Sequence, residues 1–297
     1  VGLAAAEQAV DDRRRRFVDA QHRGRAVERD GGVGDLDHRQ EADALGDGHR
    51  DRHRRSLPQV ARLPGVGLGA DRPFVDELAK RHTVYAPKHP GTSRGNPNAV
   101  HALDSWLDLV VYYGELFERL ELATPSIVGH SFGALMAAEY AAAVPRGVAK
   151  LALIDPVGLW RDDAPVRNWM VIGEPERRGL LFADPESAPA KRFFNVPTED
   201  EARVETVSQL VWAQACTGKF VWPIADRGFK LRIHRVAAPT LILWGKEDRI
   251  IAPRYAEDFA SRMKSARVEM VERAGHLAHL EQAQGVAQSV ARFLAGQ

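Results

Sequence analysis

Residues 125–143 read PSIVGHSFGALMAAEYAAA, and this stretch decides the fold. It opens with a short apolar run and continues, from Phe132, with small residues that favour a helix. Between the two lies GHSFG (129–133), which matches the pattern G-x-S-x-G. Glycines on both sides of a serine allow a sharp turn from strand to helix, and such a turn lifts the serine hydroxyl clear of the sheet. The stretch therefore predicts a nucleophilic Ser131 at the start of a helix.

Strands and helices alternate on both sides of this turn. Apolar runs of five or six residues predict strands, and longer runs with helical periodicity predict helices. The predicted strands are 82–87, 125–129, 150–155, 239–244 and 267–271, and the predicted helices are 71–81, 98–120, 132–144, 253–263 and 278–294. This order is typical of an α/β fold with a mostly parallel central sheet. Because the strands are apolar throughout, we expect helices on both faces of the sheet.

Residues 159–232 interrupt the alternation. They contain four of the six tryptophans, several prolines and helical patterns. We therefore predict a helical lid at 159–232, inserted into an α/β core that consists of residues 63–158 and 233–297. The lid tryptophans, which either line a pocket or pack the lid on the core, are Trp160, Trp169, Trp212 and Trp222.

Residues 1–62 have an atypical composition. Within the first 55 residues there are 12 Arg, 9 Asp and a single aromatic residue, Phe17. So little apolar area does not offset the entropy of ordering the chain. We favour the interpretation that this segment is a GC-rich coding region read in the wrong frame, and a disordered basic arm or an unusual folded region are the alternatives. We expect residues 1–60 to add no strand to the sheet.

The composition of the whole chain excludes several classes of protein. The 297 residues are 44% hydrophobic and 27% charged with a net charge of +1, which favours neither nucleic acid nor an anionic membrane as a partner. No apolar run is long enough to span a bilayer, and no signal peptide is expected. A single cysteine, Cys216, excludes a disulfide framework and indicates a reducing compartment, so we predict a cytoplasmic protein. The sequence does not determine the oligomeric state.

A serine nucleophile requires a base and a group that orients the base. His276 follows the predicted strand 267–271 and precedes the last helix, which makes it the candidate base. Asp248 follows the strand 239–244 and is the candidate acid, while Glu247 and Asp155 remain as alternatives. His279, one helical turn after His276, is interpreted as an exposed or capping histidine.

These motifs together resemble the α/β-hydrolase fold of the esterase and lipase-like superfamily. The resemblance covers residues 65–297 and rests on KHPGTS (88–93), GHSFGA (129–134), LILWGKEDRI (241–250) and AGHLAHLEQ (274–282). The order Ser131, Asp248, His276 is the order of that family. The resemblance implies a capped hydrolase with a catalytic serine and no cofactor or metal.

One part of the family pattern is altered. Members carry a His-Gly pair after an early strand, and the following amides form half of the oxyanion hole. Here residues 62–69 read RLPGVGLG, without that pair, and Pro64 has no amide to donate. The resemblance assigns the oxyanion amides to Phe132 and to Gly65 or Val66.

The expected activity is hydrolysis of a small carboxylic ester, or a related acyl bond, through an acyl-enzyme. Hydrolysis of a C–C bond in ring-cleavage products is an alternative, although relatives with that activity often have Asn where His130 stands. A non-catalytic or defective hydrolase-fold protein that binds a small ligand is a second alternative, favoured by the altered oxyanion loop. His89, in KHPG (88–91), is interpreted as a turn residue.

Overall fold

A six-stranded parallel sheet forms the centre of the protein. The computed structural model describes residues 59–63, 72–92, 96–222, 224 and 226–297. The strands in chain order are β1 (Gln59–Leu63), β2 (Thr83–Tyr85), β3 (Ser126–His130), β4 (Leu151–Ile154), β5 (Thr240–Gly245) and β6 (Ala266–Val271). Across the sheet they follow the order β2-β1-β3-β4-β5-β6, and every neighbouring pair is parallel. The predicted α/β class is confirmed, and each predicted strand is present within two residues of its expected bounds.

Helices connect these strands and extend from the sheet. The α-helices are α1 (Arg72–Ala79), α2 (Trp106–Arg119), α3 (Phe132–Ala143), α4 (Glu174–Leu181), α5 (Ala188–Phe193), α6 (Asp200–Val221), α7 (Tyr255–Arg262), α8 (Ala278–Glu281) and α9 (Ala283–Ala295). Short 3₁₀ helices span Pro97–Ala102, Phe229–Leu231 and Ile233–Arg235. None of the helices in the described part of the chain has the length and apolar run needed to cross a bilayer.

The central strands are buried on both faces, as their continuous apolar sequences predict. Alternate residues of a strand point to opposite faces, so each strand contributes to two cores. On one face Val128, Ala152 and Leu241 pack with α1 and α9. On the other face Ile127, Leu153 and Ile242 pack with α2, α3 and α7. Burial on both faces fixes the register of β3, β4 and β5, because a shift by one residue would move every side chain to the opposite face of the sheet.

The sequence predicted a single helix over 98–120, and the structure corrects this. A 3₁₀ helix ends at Ala102, and α2 begins only after Ser105. The Ser105 side chain accepts from the Asp108 amide, and the Asp108 carboxylate accepts from the Ser105 amide at 2.7 Å. This reciprocal capping box favours a helix start at that point. Similarly, the predicted closing helix 278–294 is divided at Gln282 into α8 and α9.

The start of the sheet also differs from the expectation. Residues 1–58 lie outside the described part of the chain, so the hypothesis about that segment lies outside it as well. Gln59 and Val60 nevertheless belong to β1, which pairs with both β2 and β3. The expectation that residues 1–60 add no strand is therefore wrong for these two positions. Val60 is fully buried, which provides the apolar contact that the strand needs.

The insertion between β4 and β5 is helical and is attached to the core by an ion pair. Helices α4, α5 and α6 lie within it, and its described residues contain no strand. At its end the Arg232 guanidinium donates two hydrogen bonds to Glu139 in α3, at 2.9 and 2.5 Å. Glu139 is 3% exposed, so this bidentate pair places the only charged residue of α3 against the returning chain.

Glu281 in α8 joins the insertion to the loop that follows β6. Its carboxylate accepts from the Gly275 amide at 2.7 Å and from the Ala183 amide at 3.0 Å, with a longer contact of 3.4 Å from the Asp184 amide. Burial raises the pKa of Glu281, whereas the three amides favour the charged form. One side chain thus holds the backbone after α4 against the loop after β6.

The interpretation of His89 as a turn residue is confirmed, since its carbonyl accepts from the Thr92 amide at 3.0 Å, but its side chain is buried. Its ring contacts Phe132 and Phe220 edge-on, with centroid distances of 5.1 and 5.7 Å. Only 4% of the residue is exposed. Burial lowers the pKa of His89 to about 4, although a backbone hydrogen bond with Cys216 acts in the opposite direction. The neutral imidazole therefore packs between α3 and the insertion helix α6.

Replacement of Glu281 by alanine should destabilise the protein. The Gly275 and Ala183 amides would lose a charged acceptor, and we expect a decrease of about 2–4 kcal/mol in the free energy of unfolding, measured by urea denaturation. Gln282→Ala is the matched control, since it removes an exposed hydrogen bond to the Arg273 carbonyl. Equal stabilities of the two variants would contradict the role given to Glu281.

His89 should make the protein sensitive to acid. Its ordinary pKa of 6.5 applies to the unfolded chain, and its pKa in the fold is about 4. Between these values the unfolded chain binds a proton that the folded chain does not, so stability falls as the pH decreases from 6.5 to 4. From pH 7 to pH 5 this residue should account for a loss of about 2 kcal/mol.

The corresponding experiment compares urea denaturation of wild type and His89→Gln at the two pH values. The variant should show a smaller difference between pH 7 and pH 5, whatever its absolute stability. His101→Gln, at an exposed histidine, should retain the wild-type difference. An unchanged pH dependence in His89→Gln would contradict the prediction.

Candidate active site

Ser131 occupies a strained turn between β3 and α3. Its backbone has φ +50° and ψ −113°, a conformation that non-glycine residues rarely adopt. The Ser131 amide donates to the Ile154 carbonyl at 2.9 Å, and its own carbonyl accepts from the Ala134 and Leu135 amides at 3.1 Å. A Cβ atom at Gly129 would lie 2.4 Å from the Gly133 carbonyl oxygen, so only glycine fits there. These contacts hold the serine hydroxyl at the carboxyl edge of the sheet.

His276 contacts the serine from the loop after β6. Its Nε2 lies 2.9 Å from Ser131 Oγ, and its Nδ1 lies 2.8 Å from Asp248 Oδ2. A neutral imidazole with its proton on Nδ1 satisfies both contacts, because it donates to the carboxylate and accepts from the hydroxyl. All three residues are at most 4% exposed. The structure thus places the three side chains that the sequence singled out in one continuous hydrogen-bonded chain.

Asp248 is fixed by its own loop. Its second oxygen, Oδ1, accepts from the amides of Ile250 and Ile251 at 2.8 and 2.9 Å. The loop of Asp248, which follows β5, closely approaches the loop of His276, which follows β6. A Cβ atom at Gly245 would lie only 2.1 Å from the Gly275 carbonyl oxygen, so glycine is required at this contact. The carboxylate therefore has one oxygen held by backbone and the other free to orient His276.

The two alternative acids do not bond to His276. Asp155 is fully buried, and its Oδ1 accepts from the Gly245 amide at 2.8 Å. Burial, followed by the negative charge of Asp248, raises the pKa of Asp155 well above its ordinary range. Glu247 is exposed and lies 3.9 Å from Arg249. Only Asp248 among the three has the geometry of an orienting group.

One predicted oxyanion donor lies beside the serine hydroxyl. Phe132 is the first residue of α3, where amides have no acceptor within the helix, and its N–H donates to no acceptor in the described part of the chain. The helix N-terminus adds a favourable dipole for developing negative charge. The other two predicted donors, Gly65 and Val66, lie outside the described residues.

Two further histidines support the base. His130, directly before the serine, makes a 2.7 Å hydrogen bond to the His276 carbonyl oxygen through Nε2. The ring of His279 lies 4.2 Å from the ring of His130, and His279 is 3% exposed. The interpretation of His279 as an exposed residue is therefore wrong. Both histidines hold the histidine loop against β3.

The pocket in front of Ser131 is built from the core and the insertion together. The core supplies its floor, which consists of His130, Ser131, His276 and Leu277. The insertion supplies its roof, which consists of Trp169, Arg177, Leu181, Phe193 and Gln214. Residues of the insertion thus line the same pocket as Ser131, and we refer to the insertion as the lid.

The four lid tryptophans have different surroundings. Trp169 lines the pocket, and its ring lies 6.2 Å from the His276 ring. Trp212 donates to the Gly91 carbonyl at 3.0 Å and so packs the lid on the core. Trp160 and Trp222 are exposed. The sequence did not identify the pocket residues Arg177 and Gln214, because a polar residue on a helix carries no local signal for a pocket.

The described residues contain no candidate metal cluster. None of the clusters formed by their His, Cys, Asp and Glu side chains has the three or more groups needed to hold a metal ion.

Comparisons with known proteins agree with this fold. A polyketide synthase of Burkholderia thailandensis (ThaQ) is 23% identical over 257 residues, which are 80% of this chain but only 12% of the synthase. The pimeloyl-[acyl-carrier protein] methyl ester esterase of Aromatoleum aromaticum is 26% identical over 258 residues, 79% of this chain and 98% of the esterase.

A solved structure extends the comparison to the fold. The 2-hydroxy-6-oxo-6-phenylhexa-2,4-dienoate hydrolase of Rhodococcus sp. strain RHA1 matches with a TM-score of 0.62 and 21% identity, over 80% of this chain and 91% of that chain. The model of the alpha/beta hydrolase family matches residues 63–289, which is most of the chain. The protein therefore belongs to the alpha/beta hydrolase family.

Proposed function

We propose that the protein is a serine hydrolase that cleaves a small carboxylic ester. The single observation that supports this most strongly is the chain of contacts from Ser131 through His276 to Asp248, at 2.9 and 2.8 Å. In such a chain the imidazole removes the hydroxyl proton as the oxygen attacks a carbonyl carbon. The unpaired Phe132 amide next to the hydroxyl supports stabilisation of the resulting oxyanion.

The proposed reaction has two halves. In the first, Ser131 Oγ bonds to the carbonyl carbon, His276 takes the hydroxyl proton and then gives it to the departing alcohol, and an acyl-enzyme remains. In the second, His276 removes a proton from water, the hydroxide attacks the acyl-enzyme, and the proton returns to Ser131 as the acid leaves. Asp248 stabilises the imidazolium that forms in each half.

The pocket supports a small substrate with apolar parts. Trp169, Leu181 and Phe193 are apolar residues of its roof, and Leu277 is part of its floor. The esterase relative from Aromatoleum aromaticum supports an ester bond as the target. Hydrolysis of a C–C bond is the alternative reaction for the same residues, and an ester substrate distinguishes between the two reactions.

Ser131 should react with a fluorophosphonate probe and should be essential for ester hydrolysis. We expect labelling of wild type at Ser131, and a loss of at least about 10³-fold in kcat for 4-nitrophenyl butyrate in Ser131→Ala. Ser261→Ala, at an exposed serine of α7, is the control and should retain labelling and activity. Absence of labelling in folded wild type would contradict an activated serine, and labelling without ester turnover would favour the C–C substrate.

Replacement of the two buried aspartates, Asp248 and Asp155, should lower kcat to very different extents. Asp248→Asn removes the acceptor that fixes the imidazole tautomer, so kcat should fall about 10³- to 10⁴-fold. Asp155→Asn retains an oxygen for the Gly245 amide and replaces a carboxyl whose pKa is raised by burial and by the negative charge of Asp248. That variant should lose less than about 10-fold in kcat, a range typical of a change away from the reacting atoms. Equal losses would show that Asp155 takes part in orienting the base.

A further inference from the structure

Among the described residues, Arg177 is the only Lys or Arg side chain that lines the pocket of Ser131. It lies on α4, and it shares the pocket with Ser131 and His276. Its Nη2 donates to the Ile172 carbonyl at 2.7 Å, which directs the guanidinium. Its Nε is buried and has no acceptor in the described part of the chain. The lid thus presents a guanidinium to this pocket, and one N–H of that guanidinium has no acceptor.

No acidic side chain of the described residues balances this charge. Glu174, on the same helix, pairs with Arg178 at 2.6 Å. Glu281, in α8, accepts from the Gly275 and Ala183 amides. A guanidinium remains charged at any physiological pH, and a buried N–H without an acceptor is unfavourable. A negatively charged ligand would satisfy both the charge and the donor.

The rest of the roof limits the kind of anion. Besides Arg177, its one polar side chain is Gln214 on α6, which offers an amide donor. The neighbouring Leu181 and Phe193 favour a carbon chain or ring rather than a highly charged group. One guanidinium and one amide match the two oxygens of a single carboxylate, which arginine binds in a bidentate manner.

We propose that Arg177, together with Gln214, binds a carboxylate of the substrate while Ser131 attacks its ester. The substrate class is then an ester that carries one free carboxylate, in either its acyl or its alcohol part. This inference rests on the proposed ester hydrolysis, and it assigns to the lid the selection of a charged substrate.

Matched ester pairs test the proposal. The acyl part is tested with the 4-nitrophenyl hemiester of glutaric acid against 4-nitrophenyl pentanoate, and the alcohol part with 4-acetoxybenzoate against 4-acetoxybenzamide. Wild type should have a kcat/KM about 10- to 100-fold higher for the charged member of one pair, the effect of a charge-assisted hydrogen bond. In Arg177→Gln that ratio should fall to near one, with most of the change in KM, and Arg177→Lys should be intermediate.

The control is Arg178→Gln, which removes the same charge from the same helix. Arg178 pairs with Glu174 and packs over Phe194, and it does not line the pocket. This variant should retain the wild-type ratio. If Arg177→Gln lowers kcat/KM equally for charged and neutral esters, Arg177 has a structural role and the proposal is wrong. The proposal is also wrong if wild type cleaves neutral esters and prefers neither charged ester.

A binding measurement separates this inference from the proposed function. Calorimetry with Ser131→Ala should detect glutarate or benzoate, and the double variant Ser131→Ala/Arg177→Gln should bind the same anion at least about 10-fold more weakly. Such a difference supports the subsite even if no ester is hydrolysed. Absence of binding of both anions overturns it, whatever the outcome of the ester assays.

Discussion

The backbone turn at Ser131 is the constraint on which the rest of the site depends. A non-glycine residue remains at φ +50° only where its surroundings compensate for the strain. Here the Ser131 amide donates to the Ile154 carbonyl of β4, and the Ser131 carbonyl accepts from two amides of α3. The position of the hydroxyl and of the Phe132 amide is therefore a property of the sheet and helix backbone. Side chains that surround the pocket can differ without displacing the nucleophile.

The other two members of the chain reach this turn because the sheet is parallel. The carboxyl ends of β3, β5 and β6 lie at one edge, so loops that are far apart in sequence meet there. The contact between Gly245 and Gly275 allows the acid loop and the base loop to touch. Glu281 then ties the base loop to the lid. The lid and the loop of His276 are therefore joined through one side chain that does not contact Ser131.

The sequence predicted the strand order along the chain, the serine turn and the three contacting side chains, because each has a local signal. The serine has its glycines, and Asp248 and His276 each follow an apolar strand. The start of α2 also had a signal, the Ser105-x-x-Asp108 capping box, that the helical periodicity of 98–120 obscured. β1 was missed because QVARL borders a segment of atypical composition.

Other features depend on long-range packing and could not be predicted. The His89 ring packs against Phe132 and against Phe220, which follows His89 by 131 positions in the sequence. No local sequence pattern predicts such a contact. Arg177 and Gln214 become pocket residues only through the way in which α4 and α6 cover the core. Glu281 is one of several acids near the last helix, and its three amide contacts arise from the fold of the lid.

The separation of 145 residues between Ser131 and His276 has a consequence for the order of folding. Contacts between distant parts of a chain form slowly, because a long loop must close before they contribute. During synthesis, β3 and α3 leave the ribosome well before the chain that forms β5, β6 and the histidine loop. A nascent chain thus carries a serine without its base, and the reactive pair is completed only when the last strands have been added to the sheet.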